Sequence, residues 1–87
     1  MNIEELKDSG YEFLCSIFLT DKISHNQHEC SVYYNIEKDK YQIYNGNRKV
    51  ASVDIGIKYL PTKGIANIVK SATKEFVRNK RIEKLLG

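Results

Sequence analysis

The sequence predicts an α+β domain in which a short N-terminal helix precedes a four-stranded antiparallel meander sheet, with a long C-terminal helix packed on one face of that sheet. Three patterns carry this expectation. Apolar residues recur at period two in four segments between Tyr11 and Tyr59, the repeat of half-buried strands. Asn45-Gly46 lies between the last two segments and suits the positive φ angles of a tight hairpin turn. After Pro61 the period becomes helical, with Ile65, Ile68, Val69, Ala72 and Phe76 on one side. The chain, 1–87, reads as a single domain without repeats, low-complexity tracts or an interdomain linker.

Each element has its own signal. Asn2 with Glu5 three residues on resembles a capping box, and Gly10 supplies a stop, so a helix is expected over Ile3 to Ser9, anchored by Ile3 and Leu6. From Tyr11, the residues Tyr11, Phe13, Cys15, Ile17 and Leu19 point one way, and Glu12, Leu14, Ser16, Phe18 and Thr20 the other. Asp21 to His28 is polar and aperiodic, hence a loop. Cys30, Val32, Tyr34 and Ile36 mark a second strand, Lys38-Asp39 a turn, and Tyr41 to Tyr44 a third strand. Val53, Ile55, Ile57 and Tyr59 mark a fourth, ended by Pro61. Thr62 is the expected N-cap of a helix running to about Leu86, with fraying or a bend near Arg78 to Arg81, where Ile82 and Leu85 leave the apolar stripe. On this pattern Leu14, Phe18, Tyr33 and Tyr44 gather on the face the last helix leaves bare. They read as a partner or dimer interface, a stacking platform for bases, or a seat for the N-terminal helix.

Charge is graded along the chain, although the net value is only +3. Residues 1–30 hold six acids and two bases, whereas residues 63–87 hold seven bases and two acids. At about 100° per residue, Lys63, Lys70, Lys74, Arg78 and Arg81 fall within roughly 80° of arc, opposite the apolar stripe. Lys80 and Lys84 add long-range attraction. Such a row can replace the counterions of a polyanion, and Glu75 and Glu83 alone are available on the helix to neutralise it.

Other classes fit poorly. No apolar run approaches the ~20 residues of a membrane span, and the acidic N-terminus lacks the basic lead of a signal peptide, so a cytoplasmic protein is expected. A basic helix lying on a membrane is disfavoured because the sheet claims its apolar stripe and Trp is absent. Cys15 and Cys30 occupy apolar strand positions as reduced thiols. With His25 and His28 they form no familiar zinc spacing and no exposed nucleophile and base, and no phosphate loop or carboxylate pair exists. No enzyme, metal, cofactor or small-molecule substrate is therefore expected. A chain this short also has a thin stability margin, which homodimerisation or docking on a partner offsets.

The element order resembles that of the double-stranded-RNA-binding domain and of coactivator-type single-strand binders. The likeness is one of order alone, since Thr62-Lys63-Gly64-Ile65-Ala66 lacks the Lys- and Ala-rich phosphate-binding entry of the former. Function is thus expected to be a small non-enzymatic binding module that meets nucleic acid or an acidic protein face through Lys63, Lys70, Lys74, Arg78, Lys80, Arg81 and Lys84. The alternative is an inhibitor or regulator of the phage or mobile-element kind, blocking a nucleic-acid-handling or defence protein. Its hot spots would be Phe18, Tyr33, Tyr44 and Arg48.

Overall fold

A computed structural model describes residues 3–20, 24–46, 48–49 and 63–86. The chain is α+β: helix α1 (Ile3–Asp8), strands β1 (Glu12–Thr20), β2 (Gln27–Asn35) and β3 (Lys40–Asn45), and helix α2 (Lys63–Leu86). The three strands form an antiparallel sheet in sequence order, as short connections dictate. The four full strands expected from the sequence are not seen. Beyond β3, pairing among the described residues is limited to the two-residue segment Arg48–Lys49, opposite Asn45 and Tyr44. The fourth strand expected around Val53 to Tyr59, Pro61 and the Thr62 cap lie outside the described residues, as does Asn2.

α1 stops where glycine allows it to. Gly10 takes a φ of 93°, its N–H bonds the Lys7 carbonyl (3.0 Å), and the Tyr11 N–H bonds the Leu6 carbonyl (3.2 Å), which together make a Schellman cap. Asn35, almost fully buried, donates from Nδ2 to the Ser9 carbonyl (3.2 Å) and accepts the Glu37 and Lys38 N–H groups at Oδ1 (3.0 Å each). One side chain thus ties the end of α1 to the β2–β3 turn. β2 begins at Gln27, inside the expected loop, because Gln27 and His28 pair with Thr20 and Leu19 despite their polarity.

β1 departs from strict alternation. Phe13 pairs with Tyr33 but Cys15 pairs with Val32, so Leu14 is an extra residue and the strand is bulged there. A slip of one residue exchanges the two faces. Cys15, Ile17 and Leu19 face α2 with Cys30, Val32, Tyr34, Tyr41, Ile43 and Val69, while Phe13 turns to the far face and Leu14 packs against the α2-side core. The expectation of one face from Tyr11 through Leu19 is corrected accordingly.

The far face is partly roofed by α1. Leu6 and Tyr11 bury with Tyr33 and Tyr44, and Ile3 packs alongside. Tyr33 meets Phe13 and Tyr44 edge-on, with ring centroids 6.0 and 5.8 Å away, and Tyr44 Oη donates to Gln42 Oε1 (3.2 Å). Leu14, Phe18, Tyr33 and Tyr44 therefore do not form one exposed cluster: Leu14 lies with the other core, Tyr33 and Tyr44 are buried, and Phe18 alone stays exposed.

Candidate functional site

α2 is an unbroken helix of 24 residues, about 36 Å long at 1.5 Å per residue. Val69 is fully buried, and Ile65, Ala66, Phe76 and Val77 pack on the core at helical spacing. Two polar ties fix how it is rolled. Tyr41 on β3 meets Thr73 hydroxyl to hydroxyl at 3.0 Å; the Thr73 hydroxyl itself donates to the Val69 carbonyl (2.6 Å), so Tyr41 is the donor. Lys80 Nζ lies 3.2 Å from Glu12 at the start of β1 and 3.8 Å from Glu83, and 5.5 Å from the centre of the Phe76 ring. Glu12 reaches Lys80 because the bulge at Leu14 brings it to the α2 side, in register with Tyr34. The β1 ladder begins at Glu12, so the last turns of α2 project beyond the sheet, leaving Ile82, Leu85 and Leu86 exposed.

With the helix rolled this way, Lys63, Lys70, Lys74, Arg78 and Arg81 all point to solvent. None of the five has a carboxylate partner among the described residues, where the ion pairs are those of Lys80. Lys74, Arg78 and Arg81 border a shallow hollow of about 340 Å³ floored by Thr73 and Val77. The row spans 18 residue steps, about 27 Å of helix. Its electrostatic character is that of an unneutralised cationic strip on a rigid support.

Lys80 and Lys84 stand apart from that row. Lys80 is half-buried and committed to Glu12; Lys84 lies beside Glu37, Asp39 and Glu83 on an open groove of about 900 Å³ between α2 and the β2–β3 turn. Of the seven cations expected to act together, five share one exposed flank, and Arg81, the last of these, also lines the groove that holds Lys80, Lys84 and the acids Glu37, Asp39 and Glu83. Helical counting already hints that Lys80 stands apart, since it falls about 20° from Val69.

Cys15 and Cys30 are free thiols on the α2 side of the sheet, and burial raises both above the usual thiol range. Tyr34 Oη donates to Asp39 Oδ1 (2.9 Å), and burial together with that bond pushes its pKa up to about 12. His25 and His28 are exposed. Among the described residues no helix is long and apolar enough to cross a membrane. No protein-family model, curated protein or solved structure matches the chain.

Proposed function

We propose that the chain is a small non-enzymatic binding module whose α2 flank grips a polyanion, with the phosphate backbone of nucleic acid the first candidate and an acidic protein face the second. The observation that carries this reading is the row Lys63, Lys70, Lys74, Arg78 and Arg81: exposed, on one flank, and without carboxylate partners among the described residues. From Lys70 onward, steps of four, four and three residues present cations about 4.5 to 6 Å apart along the axis, with Lys63 about 10.5 Å before them, an array suited to displacing counterions from a repeating charge. Such contacts position a partner without reading its sequence. Lys80 is withdrawn from the gripping set and serves to dock α2 on β1.

The inhibitor reading, drawn from small size and end-to-end charge separation, places its hot spots at Phe18, Tyr33, Tyr44 and Arg48. Burial of Tyr33 and Tyr44 beneath α1 leaves Phe18 as its exposed aromatic, so the polyanion reading is preferred. The test is titration of short duplex and single-stranded nucleic acid with the wild-type chain and with a variant in which Lys70, Lys74, Arg78 and Arg81 are changed to Glu. Binding by the first and loss by the folded second is the expected result. Equal affinity of the two rejects the proposal.

A further inference from the structure

The sheet claims the apolar stripe of α2 over only part of its length: Ile65, Ala66, Val69, Phe76 and Val77 pack on the core, and Lys80 is tied to Glu12 at the start of β1. α2 runs unbroken through Arg78 to Arg81, where the sequence suggested a bend or fraying, so the helical phase is kept to Leu86. Counted from Val69, the cations Lys70, Arg81, Lys74 and Arg78 fall at about 100°, 120°, 140° and 180°, and Leu85 falls among them at about 160°. Ile82 and Leu86 follow at about 220° and 260°. The cationic row therefore continues, four residues past Arg81, into a leucine that is 86% exposed, with Leu86 85% and Ile82 45% exposed beside it.

Bare apolar side chains rimmed by cations mark a contact surface. A second, independent observation is how charge divides across the sheet. α1 lies on the face opposite α2, and its exposed residues include Glu4, Glu5 and Asp8 against Lys7. α2 carries seven bases and two acids. The field across the sheet thus turns the outer flank of α2, rather than the α1 face, toward an extended anionic surface. That flank is unobstructed among the described residues, because the core lies on the other side of the helix.

We propose that the outer flank of α2 rests on a bilayer surface rich in anionic lipid, with Lys70, Lys74, Arg78 and Arg81 among the headgroups and Ile82, Leu85 and Leu86 dipping to the acyl boundary. The inference rests on the polyanion reading of the row and adds a partner for the apolar end in which the row finishes. A phosphate backbone offers Leu85 nothing apolar at that reach. A bilayer sets anionic charge and hydrocarbon one behind the other, within the roughly 5–10 Å that an interfacial helix enters. Arg78 and Arg81 can lay their stems along the same hydrocarbon while their guanidinium groups stay at headgroup level. The stripe held by the sheet is not needed, because the inserted residues lie outside it. The α2 acid on this flank, Glu75, lies about 10 Å short of Ile82 along the axis, clear of the inserted end. The contact is peripheral, lying on the bilayer without crossing it.

Co-sedimentation of the full chain with vesicles tests this, using phosphatidylcholine alone and phosphatidylcholine with about 30% phosphatidylserine. The expected result is binding to the mixed vesicles that weakens with added salt, and none to phosphatidylcholine alone at the same lipid concentration. Leu85→Ser combined with Leu86→Ser, both at exposed positions, should lower vesicle affinity about tenfold while far-UV circular dichroism, Tm and affinity for nucleic acid hold. A wild-type chain that ignores the mixed vesicles yet binds nucleic acid overturns this inference and leaves the polyanion reading standing; failure to bind either overturns both. Equal binding to the two vesicle types overturns the inference, as does a leucine variant that binds mixed vesicles as tightly as the wild type or loses nucleic acid in equal measure. So does a wild-type dimer in sedimentation equilibrium that the leucine variant dissolves, since a second copy then covers these residues.

Discussion

Salt dependence of nucleic-acid binding isolates the α2 flank quantitatively. Each phosphate neutralised releases condensed counterions, so affinity falls with salt at a logarithmic slope of about 0.9 per contact on duplex DNA and about 0.7 on a single strand. Five cations acting together give slopes of about 4.5 and 3.5, which between 50 and 200 mM salt correspond to losses of roughly 500-fold and 130-fold. Along about 27 Å of axis a duplex carries about sixteen phosphate charges on its two strands, in excess of the five cations. The assay is fluorescence anisotropy of labelled duplex and single strand across that salt range. Lys80→Gln serves as a control: its ammonium already sits between Glu12 and Glu83, so the slope should change by less than about half a unit, and an exposed pair of this kind is worth at most ~1 kcal/mol to stability. The reasoning fails if the wild-type slope is below about 1, if the folded quadruple Glu variant keeps it, or if Lys80→Gln removes as much as Lys74→Gln.

Three further outcomes follow from the packing. Leu6→Ala deletes the fully buried α1 residue over Tyr33 and Tyr44, and should cost about 2–5 kcal/mol in urea unfolding while making Tyr33 and Tyr44 accessible to iodination. Gly10→Ala must adopt a φ of 93° and place its Cβ 3.2 Å from Asn35 Nδ2, so Tm should fall by an amount equivalent to about 1–2 kcal/mol. Tyr34 titrates in the folded state near 12, raised by burial and by Asp39, and Tyr41 is raised by burial. Because the folded value of Tyr34 exceeds the unfolded value near 10, the stability it contributes is complete below pH 10 and is lost as pH rises through 12, and Tyr41 acts in the same direction. Absorbance at 295 nm should show a late tyrosine step that is completed only as the chain unfolds; absence of any such step in a folded chain contradicts the assignment.

α2 was legible because its apolar residues and five of its cations obey one period from Lys63 to Arg81, with Lys80 the exception on that stretch. β1 was not, because the extra residue in Phe13-Leu14-Cys15 is apolar and fits either face; alternation has nothing polar there to mark the slip. The error propagated. It placed Leu14 outside the α2-side core and Phe13 within it, and it hid Glu12 from Lys80. Tyr33 and Tyr44 were misjudged for a different reason, since a helix of six residues has too weak a pattern to reveal which sheet face it roofs. The hairpin signal was close: Gly46 takes a φ of 60°, but Asn45 remains in the ladder opposite Arg48.

These corrections narrow where a partner can bind. α1 closes one end of the far face, so stacking of bases on Tyr33 and Tyr44 would require Leu6 to leave a site where it is fully buried. Releasing a leucine from such a site costs about 2–3 kcal/mol before any base is bound, comparable with the whole of one stacking contact. The α2 flank asks for no such rearrangement: Lys63, Lys70, Lys74, Arg78 and Arg81 are already exposed, and the helix carrying them is held to β3 through Thr73 and to β1 through Lys80. Preorganisation therefore favours the helix flank over the sheet face as the binding surface. The bulge contributes to that preorganisation, because bringing Glu12 to the α2 side gives the distal half of the helix its tie to the sheet. Removal of that tie by Glu12→Gln should leave the five cations in place but loosen the helix end, visible as faster amide exchange from Lys80 onward, with less change near Val69.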